Sequence, residues 1–123
     1  MNRKRILLVD DSETSLMMAR MILSKANYEI LVAKDGRQGV EAAAKERPDL
    51  VLLDVVMPRM NGFEACAALK SSPETQTIPV IMVTTRGEGE SVESGFLAGA
   101  ADYVTKPVNG LELLTKVRNL LGD

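Results

Sequence analysis

Leu50-Val51-Leu52-Leu53-Asp54 is an unbroken apolar run closed by a carboxylate. A strand with one wet face would alternate apolar and polar residues. This run does not, which is the pattern of a strand buried on both faces of a parallel sheet. Ile6–Val9, Ile30–Ala33 and Val80–Val83 have the same form, and Asp102-Tyr103-Val104-Thr105 is a weaker fifth run.

Helical patterns separate the runs. Leu16, Ala19, Leu23 and Ala26 recur at steps of three and four on one helix face. Asp35 with Gln38 resembles a capping box, and that helix is expected to end before Pro48. Phe63, Cys66 and Ala67 form a third stripe that stops near Pro73. Val92 and Phe96 mark a fourth, with Gly99 as its C-terminal cap. Asn109 with Glu112 caps a fifth helix, whose stripe is Leu113, Leu114, Val117, Leu120 and Leu121, ended by Gly122. Strand and helix thus alternate five times. That order predicts an α/β domain of parallel strands joined by right-handed crossovers, with helices on both faces. The chain stops just after the fifth helix, so no attached output domain is expected within it. Its basic start and Gly122-Asp123 end fit a stand-alone protein somewhat better than an excised receiver, and the sequence leaves both readings open.

Composition removes several functions. The chain has 123 residues, a size suited to one core. No histidine is present, so neither a histidine zinc site nor a Ser-His-Asp triad can form within it. The single cysteine, Cys66, excludes an internal disulfide framework and fits a reducing compartment. Aromatics at 3% and a net charge of −2 argue against stacking on single-stranded nucleic acid and against strong attraction to DNA or anionic membrane. The basic start is followed by only four apolar residues and then two aspartates, which is no signal peptide, so a cytoplasmic protein is expected.

Ligands of open parallel sheets sit outside the carboxyl ends of the strands. After the first run come Asp10 and Asp11; after the third, Asp54; after the fourth, Thr84 and Thr85; after the fifth, Lys106. Lys34 and Asp35, after the second, bring no convergent chemistry. Taken singly, Asp10 or Asp11 reads as a cap of the first helix and Lys106 as a loop lysine. The fold, however, places them all on one rim. Carboxylates ~4–5 Å apart at an effective dielectric near 20 repel by roughly 3–4 kcal/mol per pair. Lys106 neutralises one charge, and a divalent cation with oxygen ligands, such as Mg2+, neutralises two more. No Gly-x-x-x-x-Gly-Lys-Ser/Thr run is present to cradle a triphosphate, and no Gly-x-Gly-x-x-Gly follows the first strand. The reaction left is attack of a carboxylate on phosphorus to give an aspartyl phosphate. Asp54, at the end of a central apolar strand, is the best-placed nucleophile.

Asp10-Asp11, Asp54, Pro58 with Gly62, Thr84 and Tyr103 with Lys106-Pro107, in this order and spacing, resemble the receiver domain of bacterial two-component response regulators. The resemblance spans essentially the whole chain, residues 1–123. It implies a flavodoxin-like three-layer (βα)5 sandwich with a parallel five-stranded sheet of order 2-1-3-4-5. It implies that Asp54 is the phosphoacceptor, charged by a phosphohistidine on a histidine kinase or histidine phosphotransfer protein. It further implies Mg2+ (or Mn2+) held by the side chains of Asp11 and Asp54 and the backbone carbonyl of Val56, with Asp10 acting mostly through water. Lys106 would pair with the phosphoryl group, Thr84 would hydrogen-bond it, and Tyr103 would swing inward as the switch. A downstream target protein would then read the face of the fourth helix, fifth strand and fifth helix. Such a module is a monomer or a weak phosphorylation-dependent dimer, with no direct nucleic-acid or membrane contact.

Some positions depart from the family pattern or vary within it. Thr85 stands where the family usually has Ala or Gly. Val56 and Arg86 fall at positions that tune phosphoryl lifetime, and an apolar Val56 offers no handle to an attacking water. Arg86-Gly87-Glu88-Gly89-Glu90, before a helix that contains Gly95, reads either as a weakly stable switch element or as an ordinary surface loop. The Lys106–Pro107 bond is expected to be cis, because the chain must turn sharply into the fifth helix while Lys106 points to the acidic pocket. Two other readings compete. A haloacid-dehalogenase-type hydrolase also forms an aspartyl phosphate, but it usually has a second Asp where Val56 stands, and it has a cap domain. A non-phosphorylated pseudo-receiver would not need the full acidic set with Thr84 and Lys106.

Overall fold

Because side chains alternate across a strand, each unbroken apolar run supplies two faces, and both must be covered. The computed structural model, which describes residues 3–57, 59–85 and 98–122, meets this demand with three layers. The described elements are β1 (Arg5–Val9), α1 (Glu13–Lys25), β2 (Glu29–Ala33), α2 (Gly36–Glu46), β3 (Leu50–Asp54), α3 (Gly62–Lys70), β4 (Val80–Thr85), β5 (Asp102–Lys106) and α4 (Gly110–Leu121). The five strands form one parallel sheet in the order β2-β1-β3-β4-β5. The sandwich and strand order implied by the resemblance are therefore present. The helix expected from Val92 and Phe96, with the Arg86–Glu90 loop and Pro58, lies outside the described residues, so the fifth helix of the sequence reading is α4.

One face of the sheet, with Leu7, Val9, Val51, Leu53 and Met82, packs with Ala43 of α2 and Cys66 and Leu69 of α3. The other, with Ile6, Leu8, Leu52 and Val83, packs with Leu16 and Leu23 of α1 and Leu113 and Val117 of α4. β2 departs from expectation. As an edge strand it is covered incompletely, and Val32 is 38% exposed. The third helical stripe also shifts. Ala67 is exposed, while Ala65, Cys66 and Leu69 are buried.

The N-caps fix where the loops of the sheet's carboxyl edge end and the helices begin. Asp35 Oδ1 accepts from the Gln38 N–H at 2.8 Å, but the Gln38 side chain turns to the Lys34 N–H, so the box is not reciprocal. A complete capping box occurs instead at Asn61 and Glu64. Asn109 caps α4 at the Glu112 N–H, and Gly122 ends that helix in the left-handed conformation. Gly99 has φ 102°, a left-handed conformation that favours glycine; the helix it was expected to cap lies outside the described residues. Among the described residues, no helix is long and apolar enough to cross a membrane.

Candidate functional site

The strand register assembles the site. Val9 pairs with Leu53, so Asp10 and Asp54 follow side by side where β1 and β3 end. These strands meet where the chain order reverses, the crevice in which doubly wound sheets bind ligands. Asp54 in turn pairs with Val83, Thr84 with Thr105, and Thr85 with Lys106. Leu8, Leu52 and Val104 face α1 and α4, and two residues further along each strand stand Asp10, Asp54 and Lys106. The period of the sheet thus aims all three at one side.

Lys106 Nζ lies 3.3 Å from Asp10 Oδ2 and 3.3 Å from Asp54 Oδ1. The peptide bond from Lys106 to Pro107 is cis, as expected. Asp10 and Asp54 are buried and Asp11 is exposed, and the three carboxylates present oxygens within 4.8 Å of one another. Neither Asp10 nor Asp11 caps α1: Ser12 does, through its hydroxyl and the Ser15 N–H at 3.3 Å. The Ser12 N–H also donates to Asp10 Oδ1 at 2.9 Å, so both oxygens of Asp10 are held. The signal for this cap is local, a serine immediately before a helical stripe. Lys34 pairs with Glu13 at the rim, and Asp35 caps α2, so neither joins the site.

Burial pushes the Asp54 carboxyl up to about 6, and the Asp10 carboxylate adds to the rise, while Lys106 partly opposes it. For Lys106, burial alone would lower the ammonium, but Asp54 and Asp10 outweigh it and the balance is upward. A single cation shared by two buried carboxylates leaves the trio short of positive charge. An all-oxygen acidic set of this kind fits a hard divalent cation such as Mg2+.

Thr84 is 1% exposed at the end of β4. Tyr103 is half-buried and packs against the core on the α2–α3 side. The Val56 side chain faces solvent. A cavity of about 200 Å3 opens between α1 and the β5–α4 junction, with Asp54 and Lys106 at its polar end and Met18, Ala19, Leu52 and Val108 among its apolar walls.

Comparison with known proteins agrees with this geometry. The family model described as response regulator receiver domain matches residues 6–118. The chain is 44% identical over 117 residues to the protein PilH of Pseudomonas aeruginosa, an alignment that covers 95% of this chain and 97% of that protein. Other curated relatives are longer, and the chain spans between 26% and 50% of several of them. Among solved structures, a candidate response regulator from Chloroflexus aurantiacus superposes with a TM-score of 0.96 at 34% identity, over 99% of this chain and 100% of that one. The receiver domain of a sensor histidine kinase from Pseudomonas aeruginosa, solved with a magnesium ion coordinated in its active-site cleft, has a TM-score of 0.91 at 26% identity, over 99% of this chain and 100% of that one. A match of this extent, on a fold that gathers three aspartates and a lysine at one sheet edge, makes the chain a member of the response regulator receiver domain family, the phosphoacceptor signalling modules of two-component systems rather than enzymes in their own right.

Proposed function

We propose that residues 1–123 form one receiver domain that accepts a phosphoryl group on Asp54 from a phosphohistidine of a histidine kinase or histidine phosphotransfer protein. The observation that carries the reading is the Lys106 ammonium, set 3.3 Å from both buried carboxylates at the end of the central strand. In the transfer, an Asp54 carboxylate oxygen bonds to phosphorus as the phosphorus–nitrogen bond breaks. The bonding pair stays on the imidazole nitrogen of the donor. Lys106 is placed to turn from carboxylate to phosphoryl oxygen, and the Thr84 hydroxyl is the hydrogen-bond donor at the end of the neighbouring strand. Asp11, Asp54 and the Val56 carbonyl are the groups to hold Mg2+ or Mn2+, with Asp10 behind them. The bound cation supplies fixed positive charge opposite the phosphoryl oxygens.

Asp54 is 5% exposed, so a protein donor must settle on the rim around it. Met17, Met18 and Met21 give the α1 side of that rim an exposed apolar surface, and Met18 lines the cavity that reaches Asp54. Methionine surfaces adapt readily to a partner's shape. The added charge, near −2, shifts an existing equilibrium that a target protein reads on the face of the fourth predicted helix, β5 and α4. On this reading the protein works in the cytoplasm as a monomer or weak phosphorylation-dependent dimer, without direct contact to nucleic acid or membrane.

The test is intact mass after incubation with acetyl phosphate and Mg2+. One phosphoryl group should be gained, and none by Asp54→Asn. An equal gain in that variant sinks the assignment.

A further inference from the structure

We propose that Lys116 is a positioning residue for the switch: its ammonium holds the Tyr103 ring in the conformation of the unphosphorylated protein and so sets how readily the acid pocket converts. The proposal rests on the phosphoacceptor reading above.

Lys116 belongs to α4, whose buried Leu113 and Val117 pack on one face of the sheet, whereas Tyr103 packs toward the other. The lysine stem therefore passes around the edge of the sheet. Its Nζ lies 4.8 Å from the centre of the Tyr103 ring and donates to the Tyr103 carbonyl oxygen. It also lies 3.4 Å from Asp102 Oδ1 and 4.0 Å from Glu112 Oε1. The side chain is 24% exposed, so the ammonium meets the ring largely withdrawn from water, where such a contact is stronger than on an open surface.

β5 is an edge strand, bonded to β4 alone. Its last residue, Lys106, spans Asp10 and Asp54, and three residues upstream Lys116 grips the same strand. The contacts of Lys116 differ in one respect. Those to the carbonyl and to the two carboxylates survive a change in the Tyr103 side-chain rotamer, and the ring contact does not. Of the Lys116 contacts, a rearrangement that turns the ring away breaks this one. Lys116 thus biases the equilibrium toward the present rotamer by one cation–ring contact, about two- to fivefold.

The experiment compares Lys116→Met, Lys116→Gln and Lys116→Arg in the full chain. Two readouts are used: Tyr103 side-chain rotamer populations by NMR without phosphodonor, and affinity for beryllofluoride, a phosphoryl mimic, with Mg2+. Met and Gln should free the Tyr103 rotamer and raise beryllofluoride affinity about two- to fivefold, with the cooperative melt retained. Arg should keep the parent values. Gln retains a donor for the carbonyl, so a parent-like Gln variant overturns the proposal, as does an unchanged rotamer in Met. Should Met fail to fold, Gln and Arg decide. Failure of the parent protein to bind beryllofluoride would instead strike the phosphoacceptor reading, while the rotamer measurement still decides whether Lys116 holds Tyr103.

Discussion

Gly62 packs so closely on Asp54 that a Cβ at Gly62 would lie 2.3 Å from the Asp54 carbonyl oxygen and 2.8 Å from the Val55 Cα. Both obstacles are backbone, so neither can rotate away. The same approach lets the Gly62 N–H donate to the Val55 carbonyl at 2.9 Å, which folds the loop after β3 back on the site. Gly62→Ala should therefore cost about 1–3 kcal/mol in urea unfolding and slow phosphorylation by acetyl phosphate. Gly110→Ala is the contrast. Its nearest neighbours are Ile22 side-chain atoms at 3.6 Å and beyond, and α4 should gain up to about 1 kcal/mol.

The Asp54 carboxyl sets a pH dependence with a definite sign. It ionises near 3.8 ordinarily and at about 6 in the folded protein, so between these values the folded state binds more protons. Stability of the metal-free protein should fall as pH rises from about 4 to about 6, then level off, by an amount on the order of 3 kcal/mol. Asp54→Asn should remove most of this slope and be more stable than the parent at pH 7. Urea melts in chelator across this range provide the check. A parent curve that rises with pH through this window contradicts the burial argument.

Cation binding should act in the opposite direction. A cation relieves the repulsion of Asp10, Asp11 and Asp54, and Mg2+ at a hundredfold excess over its Kd should add about 2.7 kcal/mol at pH 7. The gain should shrink below about pH 6, where Asp54 takes a proton in place of the metal. Asp11→Asn should weaken the effect while leaving the buried Asp10–Lys106–Asp54 arrangement intact. Thermal melts with and without Mg2+ at pH 5 and pH 7 measure this, and a melt indifferent to Mg2+ at pH 7 counts against the site.

Amide chemical shifts should locate the readout. On addition of beryllofluoride with Mg2+, changes should concentrate at Thr84, Tyr103 and Lys106, on the two strands that a phosphoryl group on Asp54 would engage together. The coupling to a distant partner surface should be modest, of order 1–3 kcal/mol. Residues of α2 remote from the pocket, such as Ala43, should move far less. Largest changes on α2 would refute this route.

The architecture was legible in the chain because its signals are local. A residue's neighbours two, three or four positions away decide whether a segment suits a strand or a helix, and unbroken runs such as Leu50–Leu53 mark strands covered on both sides. Once strand and helix alternate, parallel connection and a shared rim at the carboxyl edge follow from handedness and topology. Asp10, Asp11, Asp54, Thr84 and Lys106 could be nominated on that basis alone. The Asn61–Glu64 capping box is an equally local signal.

Tertiary structure alone decided the rest, since burial and pairing depend on residues distant in sequence. Lys106 meets Asp10 across 96 positions. Adjacent carboxylates separate into a buried Asp10, held between the Lys106 ammonium and the Ser12 N–H, and an exposed Asp11. The edge position of β2 exposes Val32, although its run reads like the buried ones. The raised Asp54 carboxyl likewise arises only when segments distant in the chain exclude water from the same place, and the grip of Lys116 on Tyr103 only when α4 packs back against β5. Periodicity records which way a side chain faces, and only the packed fold determines what it meets there.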